Sequence, residues 1–155
     1  MLIQQRTAPM APGLSGLDPL LARLYAARNV TDLTQLDLAT SALLPPSGLK
    51  GMDKAIDLLW SALQQQARIL VVSDFDADGA TSCALILRAL KSMGFRHLDY
   101  IVPDRFTYGY GLSPAIVEMA HTRNPDLIIT VDNGISSHDG VRAARERGIN
   151  VLITD

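Results

Sequence analysis

From residue 51 onward, short runs of consecutive apolar residues alternate with longer stretches in which apolar residues recur every three or four positions. The runs predict strands over 68–73, 98–102, 127–131 and 151–154. The periodic stretches predict helices over 53–66, 80–94, 113–123 and 137–148. Ile56, Leu59, Trp60 and Leu63 share one face of the first of these helices. Gly94 suits the end of the second, and Ser113 with Pro114 suits the start of the third. Strands that read as unbroken apolar runs are buried on both faces. The expected fold is therefore α/β, a mainly parallel sheet with helices on both faces.

The first fifty residues follow a different rule. Residues 1–16 carry Pro9, Pro12, Gly13 and Gly16 without a periodic apolar face, and read as a flexible lead-in. Leu20, Leu21, Leu24 and Tyr25 recur at helical spacing within 18–29. A second short helix is expected over 31–38, with Thr31 as its cap. Pro45, Pro46, Ser47 and Gly48 then break the chain. Two segments are expected on this pattern: a lead-in with short helices over 1–50, and the regular α/β part over 51–155. The chain stops at Asp155 directly after the fourth strand, so the domain is expected to be incomplete at that end.

Composition adds bounds more than identity. A hydrophobic share of 48% in 155 residues can bury one ordinary core. With a net charge of -2 there is no global basic footprint for nucleic acid, although a local patch or a further domain can supply one. Arginine outnumbers lysine by 11 to 3, which suits bidentate phosphate or carboxylate contacts and equally suits the codon usage of a GC-rich genome. The lone Cys83 cannot form an internal disulfide and reads as a buried thiol in a reducing compartment. No apolar run approaches the ~20 residues that cross a bilayer, and Met1 to Pro12 lacks the order of a secretory signal. A cytoplasmic protein without membrane contact is expected.

Open parallel sheets bind ligands outside the carboxyl ends of their strands. That rule directs attention to residues 73–79, 103–112 and 131–137. The first segment places Asp74, Asp76 and Asp78 at alternate positions. In extended backbone they project to one side about 6–7 Å apart. Their mutual repulsion calls for a cation, and an all-oxygen donor set suits Mg²⁺ or Mn²⁺. Gly79 is expected to let the chain turn into the next helix, with Thr81 or Ser82 as cap. The plainer reading, one aspartate capping that helix, accounts for a single Asp and poorly for three.

The second segment contains Asp132, Asn133, Gly134, Ser136 and Ser137. Asp-Asn-Gly is a common turn and Ser137 an adequate cap, yet Asp132 shares the sheet edge with the triple-Asp loop and can bridge two cations. Asp155 is a third acidic strand end. Two cations about 3.5–4 Å apart clamp the attacking and leaving oxygens of a phosphodiester, so no His or Cys nucleophile is required. Asp76, Asp78 and Asp132 are the candidate catalytic residues on this reading. His97, His121 and His138 show no ligand spacing among themselves, and only His138 falls near the expected site.

The third segment holds Arg105, Tyr108 and Tyr110. Arg105 can hold a phosphate, and the tyrosines can stack on a base or hydrogen-bond a phosphate. Alternatively the aromatics pack a surface loop and Arg105 pairs with Asp104. With Asn133 and Ser136, these three are the candidate substrate-binding residues.

The stretches VVSDFDADGATS (71–82), YIVPDRFTYGYGLSP (100–114) and TVDNGISSHDGV (130–141) resemble, in this order, the RecJ branch of the DHH phosphoesterases. The likeness runs from about Leu17 to the last residue. It implies that Asp76 and Asp78 are metal ligands, that Asp74 fills the third acidic position, and that Asp132 is the bridging aspartate. Asp155 matches the first residue of the Asp-His-His motif. The resemblance also implies 5′-to-3′ degradation of single-stranded DNA in recombination and repair, two Mn²⁺ or Mg²⁺ ions, and recombination or repair proteins as partners.

Two other readings compete. Asp76-Ala77-Asp78-Gly79 resembles the opening of haloacid-dehalogenase phosphatases, but Ala80 stands where that family has Thr. A receiver-like Mg²⁺-binding domain needs a lysine on its last strand, and no lysine follows Lys91. Because the resemblance places further ligands beyond Asp155, the 155-residue chain is expected to release no nucleotides from single-stranded DNA by itself, even with Mn²⁺. A nuclease assay on the purified chain, free of contaminating enzymes, checks this.

Overall fold

A computed structural model describes residues 9–155. The chain divides into two compact units at Lys50 and Gly51, and each is described by itself.

In the first unit, helix α1 (Pro19–Ala26) starts where Asp18 accepts the Leu20 N–H, with Pro19 at its first position. The helix expected over 31–38 is only a 3₁₀ turn, Leu33–Leu36. Its cap is Asp32 and not Thr31. The Asp32 carboxylate takes the Thr34 N–H at 2.8 Å, and the Gln35 side chain reaches back to the Asp32 N–H. This reciprocal pairing is a capping box, satisfying two main-chain N–H groups at the start of the turn. Two further 3₁₀ turns, Thr40–Ala42 and Pro46–Gly48, follow. Of the expected flexible lead-in, residues 1–8 lie outside the described residues; beyond them Leu14 is fully buried and Gly13 bridges Asp32.

The second unit is a four-stranded, all-parallel sheet in the order β2-β1-β3-β4. Its strands are β1 (Ile69–Ser73), β2 (Leu98–Ile101), β3 (Leu127–Val131) and β4 (Asn150–Thr154). Every residue of β1 and β3 is buried, as unbroken apolar runs require. Side chains alternate between two cores. Ile69, Leu127 and Ile129 pack with Ala62 of helix α2 (Met52–Gln64) and Leu90 of helix α3 (Ala77–Ser92). Leu70, Val72 and Ile128 pack with Ile116, Val117 and Ala120 of α5 (Pro114–His121) and Ala143 and Ala144 of α6 (His138–Glu146). A one-turn helix, α4 (Arg105–Tyr108), interrupts the stretch expected to be loop. Among the described residues no helix is long and apolar enough to cross a membrane.

The strand order places the site. The chain goes from β1 out to β2, then returns past β1 to lay β3 on its other side. The order therefore reverses between β1 and β3, the place where parallel sheets open a crevice at their carboxyl ends. Ser73 pairs with Val131 there, so Asp74 and Asp132 leave the sheet side by side.

Close backbone approach supports this edge from below. Gly140, buried in α6, faces the Leu112 carbonyl, and a Cβ built there would overlap that oxygen. The Gly140→Ala substitution is expected to lower stability by about 1–3 kcal/mol. Urea unfolding with an unchanged m-value checks it.

Candidate metal centre

Helix α3 begins three residues earlier than the sequence periodicity predicts, and this reshapes the acidic loop. Asp76 has extended backbone and its Oδ1 accepts the Gly79 N–H at 3.0 Å, so it is the helix cap. Thr81 and Ser82 do not serve as caps; the Thr81 hydroxyl instead donates back to the Ala77 carbonyl at 2.9 Å. Gly79 sits inside the first helical turn, where a Cβ would overlap the Asp74 carbonyl. Its role is close approach rather than a turn. The three aspartates thus do not lie along one extended segment, because Asp78 is already in the helix.

What the fold brings together is Asp74, Asp76 and Asp132, each offering a carboxylate oxygen within 4.8 Å of the others. Asp78 is outside this group but near enough to repel Asp132. Burial first, and then the carboxylates of Asp76, Asp78 and Asp74, hold the Asp132 carboxyl above its ordinary value of 3.8. Such a cluster, all oxygen and mutually repelling, fits a hard divalent cation. Asp132 also has a left-handed backbone, φ 59°, which Asp and Asn tolerate better than other side chains. Asp155 stands apart from the three; its Oδ2 accepts the Ile135 N–H at 3.0 Å and ties the end of β4 to the loop after β3.

Arg105 closes one side of the cluster. Its guanidinium pairs with Asp74 and not with Asp104, whose carboxylate accepts the Thr107 hydroxyl and the Phe106 N–H. These two bonds, the hydroxyl first, draw the Asp104 pKa below its usual value. The same guanidinium lies over two rings, 4.5 Å from the Phe75 centroid and 5.0 Å from that of Tyr110. Both rings hold the charge by cation–π attraction. Phe75 was not among the expected site residues. Its partner lies thirty positions away, so nothing local announces it.

The remaining candidates divide. The Tyr110 hydroxyl donates to the Asp132 carbonyl at 3.0 Å. Burial, then Asp155, Asp74 and Asp132, raise its pKa against the opposing pull of Arg105, so it stays a neutral donor. Tyr108 packs against the core beside α5. Asn133 is buried, and its amide donates to the carbonyls of Val72 and Val131, bracing the ends of β1 and β3. Ser136 is exposed. Ser137 does not cap α6; its hydroxyl accepts the Leu112 N–H at 2.9 Å and pins the loop before α5. His138 is exposed at the start of α6. Cys83 is buried under β1, where desolvation raises its pKa and keeps it a thiol.

A parallel α/β domain with a carboxylate cluster at its strand-order reversal is the architecture of a metal-dependent hydrolase or phosphate-binding domain. The particular family follows from comparison with known proteins. Residues 68–155 match the model described as DHH family, N-terminal domain, and the chain belongs to that family. It is 52% identical over 139 residues to the single-stranded-DNA-specific exonuclease RecJ of Escherichia coli, covering 90% of this chain and 24% of that protein. It is 48% identical over 154 residues to the Haemophilus influenzae protein of the same name, covering 99% of this chain and 27% of that one. The chain thus spans about a quarter of the length of these relatives. A crystal structure of exonuclease RecJ bound to manganese matches with a TM-score of 0.63 and 40% identity, over 77% of this chain and 29% of that one. Thermus thermophilus RecJ in complex with Mn²⁺ matches with a TM-score of 0.60 and 34% identity, over 84% of this chain and 18% of that one. The expected α/β fold and family are therefore both borne out.

The raised Asp132 pKa carries a consequence for stability. Ionising a carboxyl whose folded pKa is raised costs the fold, so the favourable contribution of the proton is present at low pH and lost as pH rises through that pKa. Asp132→Asn keeps the left-handed backbone and removes the charge. Near neutral pH the variant is expected to have the higher melting temperature in EDTA, with the gap closing toward pH 4, about the ordinary carboxylate pKa. It is also expected to bind Mn²⁺ at least about tenfold more weakly. Calorimetric scans and titrations check both.

Proposed function

We propose that this chain is the metal-binding portion of a DHH-family exonuclease that hydrolyses single-stranded DNA with Mn²⁺ or Mg²⁺. The observation that carries the reading is the convergence of Asp74, Asp76 and Asp132 at the β1–β3 crevice in a chain of this family. In this reading residues 51–155 are the amino-terminal part of the phosphoesterase domain and 1–50 a lead-in.

Asp74, Asp76 and Asp132 would hold the cation, and Asp78 and Asp155 would contribute to a second position only with residues from elsewhere in the whole protein. When bound, the ion supplies charge neutralisation at a phosphodiester and a lowered pKa for water. The chain's own groups do the positioning. Arg105, held by Phe75 and Tyr110, presents a positive charge at the rim for a substrate phosphate. The exposed ring of Tyr110 and the exposed Ser136 would meet a base or a sugar-phosphate oxygen. Asn133 and Tyr108 act by holding the loops that carry these groups. The 5′-to-3′ direction and an association with recombination and repair proteins rest on the family resemblance. The phosphatase and receiver readings have no support in the fold comparison or the family match.

Grafted in place of the corresponding quarter of the Escherichia coli relative, this chain is expected to sustain Mn²⁺-dependent nucleotide release from single-stranded DNA. The same graft with Asp132→Asn is expected to lose at least about a hundredfold in rate. Equal rates with both grafts, or cleavage of the two in EDTA, would rule the reading out. Substrates labelled at one end or the other read the direction.

A further inference from the structure

The opposite edge of the sheet has a different character. The loops entering β1, β2 and β3 bring Arg68, Arg96, His97 and Arg123 around a cavity of about 300 Å³. The buried Ile69 and Leu70 contribute to its walls. Three arginines line it against a single carboxylate residue, Asp99, which pairs with Arg123 at 2.6 Å. Arg68 and Arg96 make no ion pair among the described residues. Asp126 is adjacent, but its Oδ2 already accepts the Arg68 backbone N–H at 2.8 Å.

Cations often gather at such an edge simply to offset the carbonyl ends of helices. Arg147 shows that role in this fold, donating Nη1 to the Ala143 carbonyl at 3.0 Å. Arg68 and Arg96 do not. Their guanidinium groups donate to no carbonyl among the described residues. The helix ends beside them are closed by main chain, Ala67 N–H on Ala62 and Phe95 N–H on Leu90. Two planar forks are thus left free at the mouth of a concave site, with a third held by only one carboxylate. That arrangement matches the oxygens of a phosphoryl group, which guanidinium binds in bidentate fashion.

We propose that Arg68, Arg96 and Arg123 form a second binding site, for a phosphate-bearing ligand of about nucleotide size, at the amino edge of the sheet. The site is separated from the carboxylates by the length of a five-residue strand, about 16 Å. It stands whether or not the carboxylate cluster hydrolyses DNA.

The test is a ¹⁵N-correlation NMR titration of the chain in EDTA, at constant ionic strength, with inorganic phosphate replacing chloride. Saturable shifts are expected at the amides of Ile69, His97 and Asp126 and not at those of Asp74, Asp76 or Asp132. The exposed double substitution Arg68→Gln, Arg96→Gln is expected to weaken binding about tenfold or more while leaving the rest of the spectrum in place. Asp99→Asn, which removes the lining carboxylate, is expected to tighten it about threefold. A single-stranded oligothymidylate distinguishes sources: tighter binding than phosphate at the same amides identifies a nucleic-acid backbone, and equal affinity per phosphate a small free ligand. Shifts spread over all arginine-bearing surfaces, or an affinity unchanged in the double variant, would overturn the proposal.

Discussion

The register between β1 and β3 is the constraint on which the rest of this structure depends. Parallel pairing of Ser73 with Val131 brings two chain segments, nearly sixty residues apart, out of the sheet at the same height. All that follows at that edge is a response to the charge so concentrated. Five buried residues on each strand hold the register, because a slip by one would turn each apolar side chain toward the opposite core. Asp74 and Asp132 therefore each leave the sheet directly from a buried strand end. A ligand set for a hard cation needs that anchorage, since repelling carboxylates left on flexible loops would move apart.

Two devices keep the charge in place. Hydrogen bonds from the main chain occupy part of two of the three carboxylates: Gly79 N–H on Asp76, Phe75 N–H on Asp74. Arg105 supplies a positive side chain paired with Asp74, and the rings of Phe75 and Tyr110 help hold it there. Tyr110 joins both halves of the site, since its ring faces Arg105 while its hydroxyl holds the Asp132 carbonyl. Beneath them the Asn133 amide nitrogen and the Ser137 hydroxyl bond neighbouring backbone. Much of the polarity in these loops is thus scaffolding, and fewer groups face a substrate than the loop sequences suggest.

The two edges of the sheet carry opposite charge. Aspartates crowd the carboxyl edge, where helices begin, and arginines the amino edge, where helices end. Helix dipoles favour this polarity in general. Here it goes further at both edges: three carboxylates exceed what capping requires, and two arginines perform no capping at all. That excess over structural need at both edges is what the two binding proposals rest on.

The strand and helix sequence from residue 51 was legible from hydrophobic spacing alone, since buried strands and amphipathic helices leave different periods. So was the gathering of acidic residues at the strand ends, Asp74, Asp76, Asp78, Asp132 and Asp155, of which the fold brings Asp74, Asp76 and Asp132 together. What spacing could not show was the helical start at Ala77, which depends on whether Asp76 or a later residue captures the first free N–H. That capture moved Asp78 out of line with the other two. Nor could it show the partner of Arg105, where Asp104 is adjacent in sequence but Asp74 is adjacent in space. Sequence by itself determined the elements and the chemistry of their ends, because both are written in local residue types. Only the tertiary structure decided which of those groups meet, because strand order and register join residues that no local pattern connects.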